Sequence, residues 1–437
     1  FVPDKFGVRP ALLLAFVLLL GGRVLMSAAP TLLHLKPDGL WSPLHLVTMA
    51  GIILVLVGYG MYQPAAYTAV RQFTTPKTAA MSYAMLYALM NAGSALTMGA
   101  FLVRDEKFLG LGISGAFWIF TALTLVSLLV TVYVLSRKTV DQAIVAAQKE
   151  KAELSKQEAP KENAGFSAAT VAGAERPVNV PVTVWISLLG IVAGLFYKLP
   201  APWCYLACGV VLLVPVVILL LPAGPRSATM RWISSHPLAD ARFFFFIFAL
   251  IPVQTLFTYN WLVLPQYISR AFDGWIGEYF EIASNANPIL IFVLVPVITA
   301  LTYKKPIYTM MIIGTTVMGA SAFVLALGPT PATLVLYIVL MTVGEALWQP
   351  RFLQYATEIA PEGRAGLYQG VAQLPWFLTK FLVPLLYSGE MVERYCPATG
   401  PKNTETMWLI FGLIAISSAV MLVVAKGWVN KGQAKAA

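Results

Sequence analysis

Long apolar runs alternate with short polar connections along the whole chain. Runs close to the 20 or so residues that a helix needs to cross a bilayer lie near 11–29, 44–68, 79–103, 112–135, 183–199, 203–222, 243–266, 285–303, 307–328, 332–353, 366–388 and 406–425. Twelve membrane-spanning helices are therefore predicted, the run at 183–199 being the shortest. One stretch breaks the pattern. Residues 137–177 are rich in Lys, Glu, Gln and Ala and poor in large apolar side chains. Their first part, 138–157, is predicted as a polar helix and the remainder as a flexible linker.

Composition agrees with a chain whose surface faces lipid. Of its 437 residues 58% are hydrophobic and 11% charged, with a mean hydropathy of +0.74, whereas a soluble domain carries about 25% charged residues. The net charge of +10 does not point to nucleic acid, and no such partner is expected, because the basic residues concentrate in alternate loops. Lys5 and Arg9 precede the first run, Arg71 and Lys77 follow the second, and Arg137, Lys138, Lys149, Lys151, Lys156, Lys161 and Arg176 follow the fourth. Arg226, Arg231 and Arg242 follow the sixth, Lys304 and Lys305 the eighth, Arg364 the tenth, and Lys426, Lys431 and Lys435 the twelfth. All of these fall on one side of the bilayer, which the positive-inside rule makes the cytoplasm. Both visible ends are expected there, in a multi-pass protein of the plasma membrane.

Cysteine and histidine add no chemistry. Cys204 and Cys208 sit one helical turn apart in an apolar run and read as small core residues, while Cys396 lies in a polar loop. His34, His45 and His236 are scattered, and metal sites need clustered ligands, so no metal and no cofactor are expected. There is no His-Glu-x-x-His and no histidine pair at helical spacing, which leaves a membrane-embedded enzyme without a catalytic set.

Several short segments carry a family resemblance. They are Asp4-Lys5-Phe6-Gly7-Val8-Arg9-Pro10; Gly58-Tyr59-Gly60-Met61-Tyr62-Gln63-Pro64 followed by Arg71-Gln72-Phe73; Tyr87 with Asn91-Ala92-Gly93-Ser94; Gln254; Asn287-Pro288 and Pro296; Gly344-Glu345 and Pro350; and Pro375-Trp376-Phe377. In order and spacing this set resembles the proton-dependent oligopeptide transporters of the major facilitator type. The resemblance implies an all-α polytopic membrane protein with the major facilitator fold. The opening segment resembles the loop between helices two and three, so the visible runs correspond to helices three to six, two inserted helices as in bacterial members, and helices seven to twelve. The chain, which begins with Phe1, is read as opening inside a longer protein. The predicted divisions are 1–136 as the remainder of an N-terminal bundle, 137–182 as a cytoplasmic linker, 183–222 as the inserted helices and 223–437 as a C-terminal bundle.

Three positions depart from the family pattern. Gln63 stands where helix four has a lysine in Gly-x-Gly-x-x-Lys-Pro, Arg71 replaces the aspartate of Asp-Gln-Phe, and Val253 replaces an acid of helix seven. The Glu-x-x-Glu-Arg-Phe motif of helix one, which the family uses for proton coupling, would lie upstream.

Single residues give the sharpest signals. Glu345 falls near the middle of an apolar run, where an acid costs about 2.5–3.5 kcal/mol on insertion scales. It is read as a binding residue for a substrate ammonium, as a proton-coupling site, or as half of a structural ion pair. Asn91, Asn287 and Gln254 offer donors and acceptors to a peptide or to neighbouring helices. Tyr59, Tyr62, Tyr259 and Trp376, with Gln63, are candidates for lining a substrate pocket, aromatic packing being the alternative. Arg23, within the first run, either pairs with an acid or snorkels to the surface. Asp4, Arg9, Gly58, Gly60, Pro64 and Pro288 are gating candidates, plain helix packing being the alternative for the glycines and prolines.

The resemblance implies a secondary active transporter, a monomer, that carries di- and tripeptides with protons by alternating access. Other small solutes (nitrate, an amino acid or a drug) are the alternative cargo, and a receptor-like homologue that no longer transports is a further alternative.

Overall fold

The computed structural model describes residues 2–95, 102–157 and 236–434, except 37, 40, 104, 105, 107, 108, 279 and 362, together with the single positions 205, 209, 213, 222 and 224. The linker beyond 157, Cys204, Cys208 and almost all of the two inserted helices lie outside the described residues. Every regular element that is described is helical. The long ones are α1 (Val8–Thr31), α2 (Pro43–Phe73), α3 (Pro76–Ala95), α4 (Gly112–Val134), α5 (Arg137–Gln157), α6 (Ala241–Phe248), α7 (Ile251–Leu262), α8 (Leu264–Ala271), α9 (Ala286–Thr302), α10 (Ile307–Leu325), α11 (Pro331–Glu358), α12 (Ala365–Ala372), α13 (Leu374–Val383) and α14 (Thr404–Ala434). Among the described residues eight helical segments are long and apolar enough to cross a membrane. The protein is a multi-pass integral membrane protein. Its polar segment after the fourth run is the helix α5.

Helix ends follow local chemistry. Ser42 caps α2, accepting from His45 N at 3.3 Å, with Pro43 in the first helical position. Asp240 caps α6, accepting from Arg242 N at 3.0 Å and Phe243 N at 3.3 Å. Thr330 and Thr333 cap α11 reciprocally, each backbone N–H donating to the other's hydroxyl at 3.1 Å. Prolines set the interruptions, because each removes an N–H from the carbonyl four residues before it. Pro252 separates α6 from α7, Pro265 separates α7 from α8, and Pro288 lies just past the break at Asn285 that opens α9. The run at 366–388, predicted as one span, is divided at Gln373, two residues before Pro375, and passes at Pro384–Ser388 into a π-helical turn.

The chain forms two compact units. The first comprises Phe1–Ala168, Val295–Tyr303 and Pro350–Gly370; the second comprises Ala169–Leu294, Lys304–Gln349 and Val371–Ala437. Helices α9 and α11 contribute to both.

In the first unit α1 and α2 meet through backbone rather than side chains. A Cβ on Gly22 would lie 2.5 Å from the Gly51 carbonyl oxygen, one on Gly51 2.8 Å from that of Gly22, and one on Gly58 2.9 Å from that of Ala15. Glycine alone permits this approach. Arg23 donates to the Phe120 carbonyl at 3.1 Å and to the Thr124 hydroxyl, so its charge is held against α4. Arg9 donates to the Leu135 carbonyl at the end of α4. The Asp4 carboxylate accepts from Gly366 N and Leu367 N, both at 2.9 Å, at the start of α12, where a helix N-terminus favours negative charge. Arg71 does the converse at a C-terminal end: it donates to the carbonyls of Thr357 and Ala360, each at 2.9 Å, at the close of α11. Helix α5 packs beside it, with Lys151 Nζ donating to the Arg71 carbonyl at 3.2 Å. Burial first, and then the neighbouring Arg71 guanidinium, hold the Lys151 ammonium below its ordinary pKa, against the pull of Glu358.

In the second unit a Cβ on Gly344 would lie 2.4 Å from Met318 N, and one on Gly314 2.8 Å from the Gly344 carbonyl oxygen. These two glycines seat α11 against α10. Ser418 of α14 accepts from Val253 N at 2.9 Å, one of the first-turn N–H groups that a helix leaves unpaired. Tyr259, Tyr267, Trp408 and Phe411 build the aromatic core, the Tyr259 and Phe411 rings stacking at 4.0 Å. Cys396, expected in a polar loop, is fully buried at the end of a short helix, because Arg270 ties down its carbonyl at 2.9 Å and Val392 O accepts from its N–H at 2.8 Å.

Three outcomes follow from this packing. Gly344→Leu lowers the thermal midpoint of the detergent-solubilised protein, since overpacking costs about 1–3 kcal/mol; an unchanged midpoint contradicts the seam. Arg71→Ala removes two charge-assisted hydrogen bonds, each worth about 1.5–3 kcal/mol, and also lowers the midpoint, with Arg71→Lys intermediate because an ammonium lacks the two-pronged fork. Burial lifts the Cys396 thiol above its ordinary pKa against the pull of Arg270 and Lys402, so little thiolate forms near pH 8. Peptide-resolved mass spectrometry is expected to find Cys396 labelled slowly by iodoacetamide in the folded protein and rapidly in guanidinium.

Candidate functional site

The site grows from one stripe of α11. Tyr337, Met341 and Glu345 follow at intervals of four residues and so share a helix face. The glycine contact at Gly344 brings α11 close to α10 and leaves the adjacent Glu345 only 2% exposed. Asn287, in the first turn of α9, donates to Glu345 Oε2 at 2.8 Å and also reaches Thr342 Oγ1 at 3.1 Å. One step along the stripe, Tyr337 OH donates to Asn260 Oδ1 at 2.6 Å, and Asn260 Nδ2 approaches Met341 Sδ at 3.2 Å. The result is a buried polar ladder of Asn260, Tyr337, Asn287, Thr342 and Glu345 inside the second unit. An amide donor steadies a carboxylate without cancelling its charge. The buried Glu345 carboxylate is thereby held by a neutral donor.

Other predicted residues of this unit lie on neighbouring elements. Gln254 is 1% exposed, and among the described residues neither its Nε2 nor its Oε1 has a hydrogen-bond partner. Burying such an amide unpaired is costly. Trp376 lies in the first turn of α13 and meets Trp261 of α7 edge to face at 6.3 Å. Tyr259 hydrogen-bonds Tyr387 through the two hydroxyls. Pro288 sits in the first turn of α9 just beyond the helix break at Asn285, so it shapes a helix start rather than a mid-helix kink.

The residues predicted in the first unit are not gathered in one network. Asn91 donates to its own helix at the Tyr87 carbonyl, 3.0 Å away. Tyr59, 40% exposed, faces Tyr62 at 6.4 Å, and Tyr62 packs edge to face on Phe16 at 5.5 Å. Gln63 is half-buried and Pro64 buried. Gly58 belongs to the close seam with α1, whereas a Cβ on Gly60 would meet nothing within 4 Å. Asp4 and Arg9 hold the helix ends described above.

Two groups of residues escaped the sequence reading, three side chains in all. Asn260 and Tyr337 look like ordinary span residues until the fold pairs them. Lys380 is the second case. Its ammonium stands 3.2 Å from the Trp261 ring centroid and 3.4 Å from that of Trp376. A cation over aromatic faces gains about 0.5–2 kcal/mol, more as water is excluded. Its signal was present: a lysine inside an apolar run, four residues after Trp376. Among the described residues no three His, Cys, Asp or Glu side chains gather as metal ligands would.

Comparison with known proteins places this geometry. Curated protein sequences gave no match. Among solved structures, the proton:xylose symporter XylE bound to 6-bromo-6-deoxy-D-glucose shares 13% identity and a TM-score of 0.60, covering 96% of this chain and 80% of that one. A POT family transporter in complex with a thioalcohol-conjugated peptide shares 17% identity and a TM-score of 0.54, over 97% and 82%. The human organic anion transporter MFSD10 (TETRAN) shares 13% identity and a TM-score of 0.51, over 96% and 78%. At these identities the likeness is one of fold. Residues 2–384 match the Major Facilitator Superfamily; the chain belongs to that superfamily, and it is a transporter rather than an enzyme.

Proposed function

We propose that this transporter is a proton-coupled carrier of di- and tripeptides that works by alternating access. The observation that carries the reading is the buried Glu345, held by Asn287 within the polar ladder. A carboxylate in an apolar span is retained at a cost and marks a proton or substrate path. In this reading Glu345 receives either a proton or the substrate ammonium. Asn287 and Gln254 supply hydrogen bonds to the peptide, and Asn91, Gln63, Tyr59, Tyr62 and Trp376 line the path. Asp4, Arg9, Gly58, Gly60, Pro64 and Pro288 serve the gate. Protonation of Glu345 weakens its hold on a cationic partner and biases the resting state, since a ligand shifts an equilibrium only by its differential affinity for the two states. The ordered motifs that resemble those of proton-dependent oligopeptide transporters support the peptide assignment, and the fold-level likeness to a peptide-bound POT family transporter agrees with it.

The proposed organisation is two bundles, 1–136 and 223–437, joined by a cytoplasmic linker at 137–182 and two added helices at 183–222. The protein acts as a monomer in the plasma membrane with both visible ends in the cytoplasm. One observation favours a second reading. Gln63 carries no charge where the family has a lysine, so a solute other than a peptide (nitrate, an amino acid or a drug) is the alternative cargo.

Uptake of labelled di-alanine into proteoliposomes tests the assignment. An inward proton gradient is expected to drive accumulation by the wild type, and Glu345→Gln to reduce it at least tenfold. Absence of uptake from folded wild-type protein, with and without the gradient, removes the peptide reading and directs the search to the other solutes.

A further inference from the structure

Several cations of the described helices are committed to acceptors. Arg9 and Arg23 donate to carbonyls and a hydroxyl at α4, Arg71 donates to the carbonyls that close α11, and Arg351 donates to Gln354 Oε1 at 3.1 Å. Lys380 lies within its run, whereas Arg242 and Lys426 lie at span ends, and it is held differently. Among the described residues neither a carboxylate nor a hydrogen-bond acceptor pairs with its ammonium; its contacts are the Trp261 and Trp376 ring faces at 3.2 and 3.4 Å. Ring faces attract a cation but accept no directed hydrogen bond, so the three N–H donors of the ammonium are available to an anion.

The surroundings are those of a site. Trp376 and Lys380 are four residues apart, on one face of α13. Helix α7 packs against α13, and on α7 Gln254 and Trp261 lie seven residues apart on one stripe. Gln254 is 1% exposed, with both amide atoms unpartnered among the described residues, an independent observation of an unused polar group on the same pair of helices. Pro384, four residues after Lys380, offers no N–H to the Lys380 carbonyl, and the chain continues as the π-helical turn Pro384–Ser388, a distortion frequent at functional sites.

We propose that Lys380 is the residue that binds the carboxylate of the transported solute, and that Trp261 and Trp376 form the aromatic clamp that holds its ammonium when no solute is bound. The assignment deepens the peptide reading by naming the partner of the peptide's negative end, opposite in charge to Glu345. It also stands for any carboxylate solute. The clamp holds the lysine in place without an acidic partner that would compete with the substrate.

The test compares uptake of di-alanine with that of its C-terminal carboxamide, which keeps the ammonium and lacks the carboxylate. Wild type is expected to prefer the acid at least tenfold in half-saturating concentration. Lys380→Gln is expected to abolish that preference, and Lys380→Arg to restore most of it. A Lys380→Gln protein that still prefers the acid tenfold overturns the proposal. Should Lys380→Gln fail to give a monodisperse protein, Lys380→Met is read in the same way. If the wild type carries neither compound, the peptide reading falls, and the lysine assignment is decided by intrinsic tryptophan emission of the solubilised protein titrated with N-acetylalanine. A saturable change in wild type that is absent from Lys380→Gln upholds it. No change in wild type, or an equal change in both, overturns it.

Discussion

Lipid offers a backbone N–H nothing to bond with, and the architecture follows from that scarcity. Helices satisfy the main chain internally, and where they stop a specific group takes over: Ser42, Asp240 and the Thr330–Thr333 pair at starts, Arg71 at an end. The prolines that divide the second unit's spans concentrate the same problem at a few carbonyls. Side chains obey it too. Thr121 and Thr124 return their hydroxyls to the carbonyls of Phe117 and Phe120, at 2.8 and 2.7 Å.

Against that background the exceptions acquire meaning. A carboxylate, two asparagines and a tyrosine collected along one stripe of α11 are more polarity than the packing of an apolar helix requires, and they are satisfied by one another. Gln254 and Lys380 are not satisfied in that way. The second unit thus carries a closed polar network and, apart from it, an amide on α7 and an ammonium on α13 that have no such partners among the described residues. In the function we propose, the closed network takes the proton. In the same proposal the other two groups meet the ligand, because binding supplies what the fold withholds.

Much of this was legible in the sequence. Eight of the twelve apolar runs coincide, among the described residues, with helical segments long and apolar enough to cross a membrane, the Lys- and Glu-rich stretch located α5, and Glu345 stood out by the energetic cost of its position. What stayed hidden depends on contacts between distant segments. The run at 366–388 reads as unbroken because hydropathy averages over Pro375 and Pro384, whose effect lies in missing hydrogen bonds. Gly58 and Gly60 look equivalent in sequence, yet one faces the α1 backbone and the other faces open space. Lys380 passed as incidental because its partners, Trp261 and Trp376, are neighbours only after α7 packs on α13. Arg23 was left open between an acid and the surface; the fold gives it a carbonyl and a hydroxyl of α4.

The contact between α1 and α2 bears on how such a protein moves. Side chains that interlock can change rotamer and let helices slide; main chain resting on main chain has no such freedom. With Gly22, Gly51 and Gly58 in register, these helices behave as one stiff lever. Bending or shear during a transport cycle must then be absorbed elsewhere, where the ladder of hydrogen bonds is already interrupted.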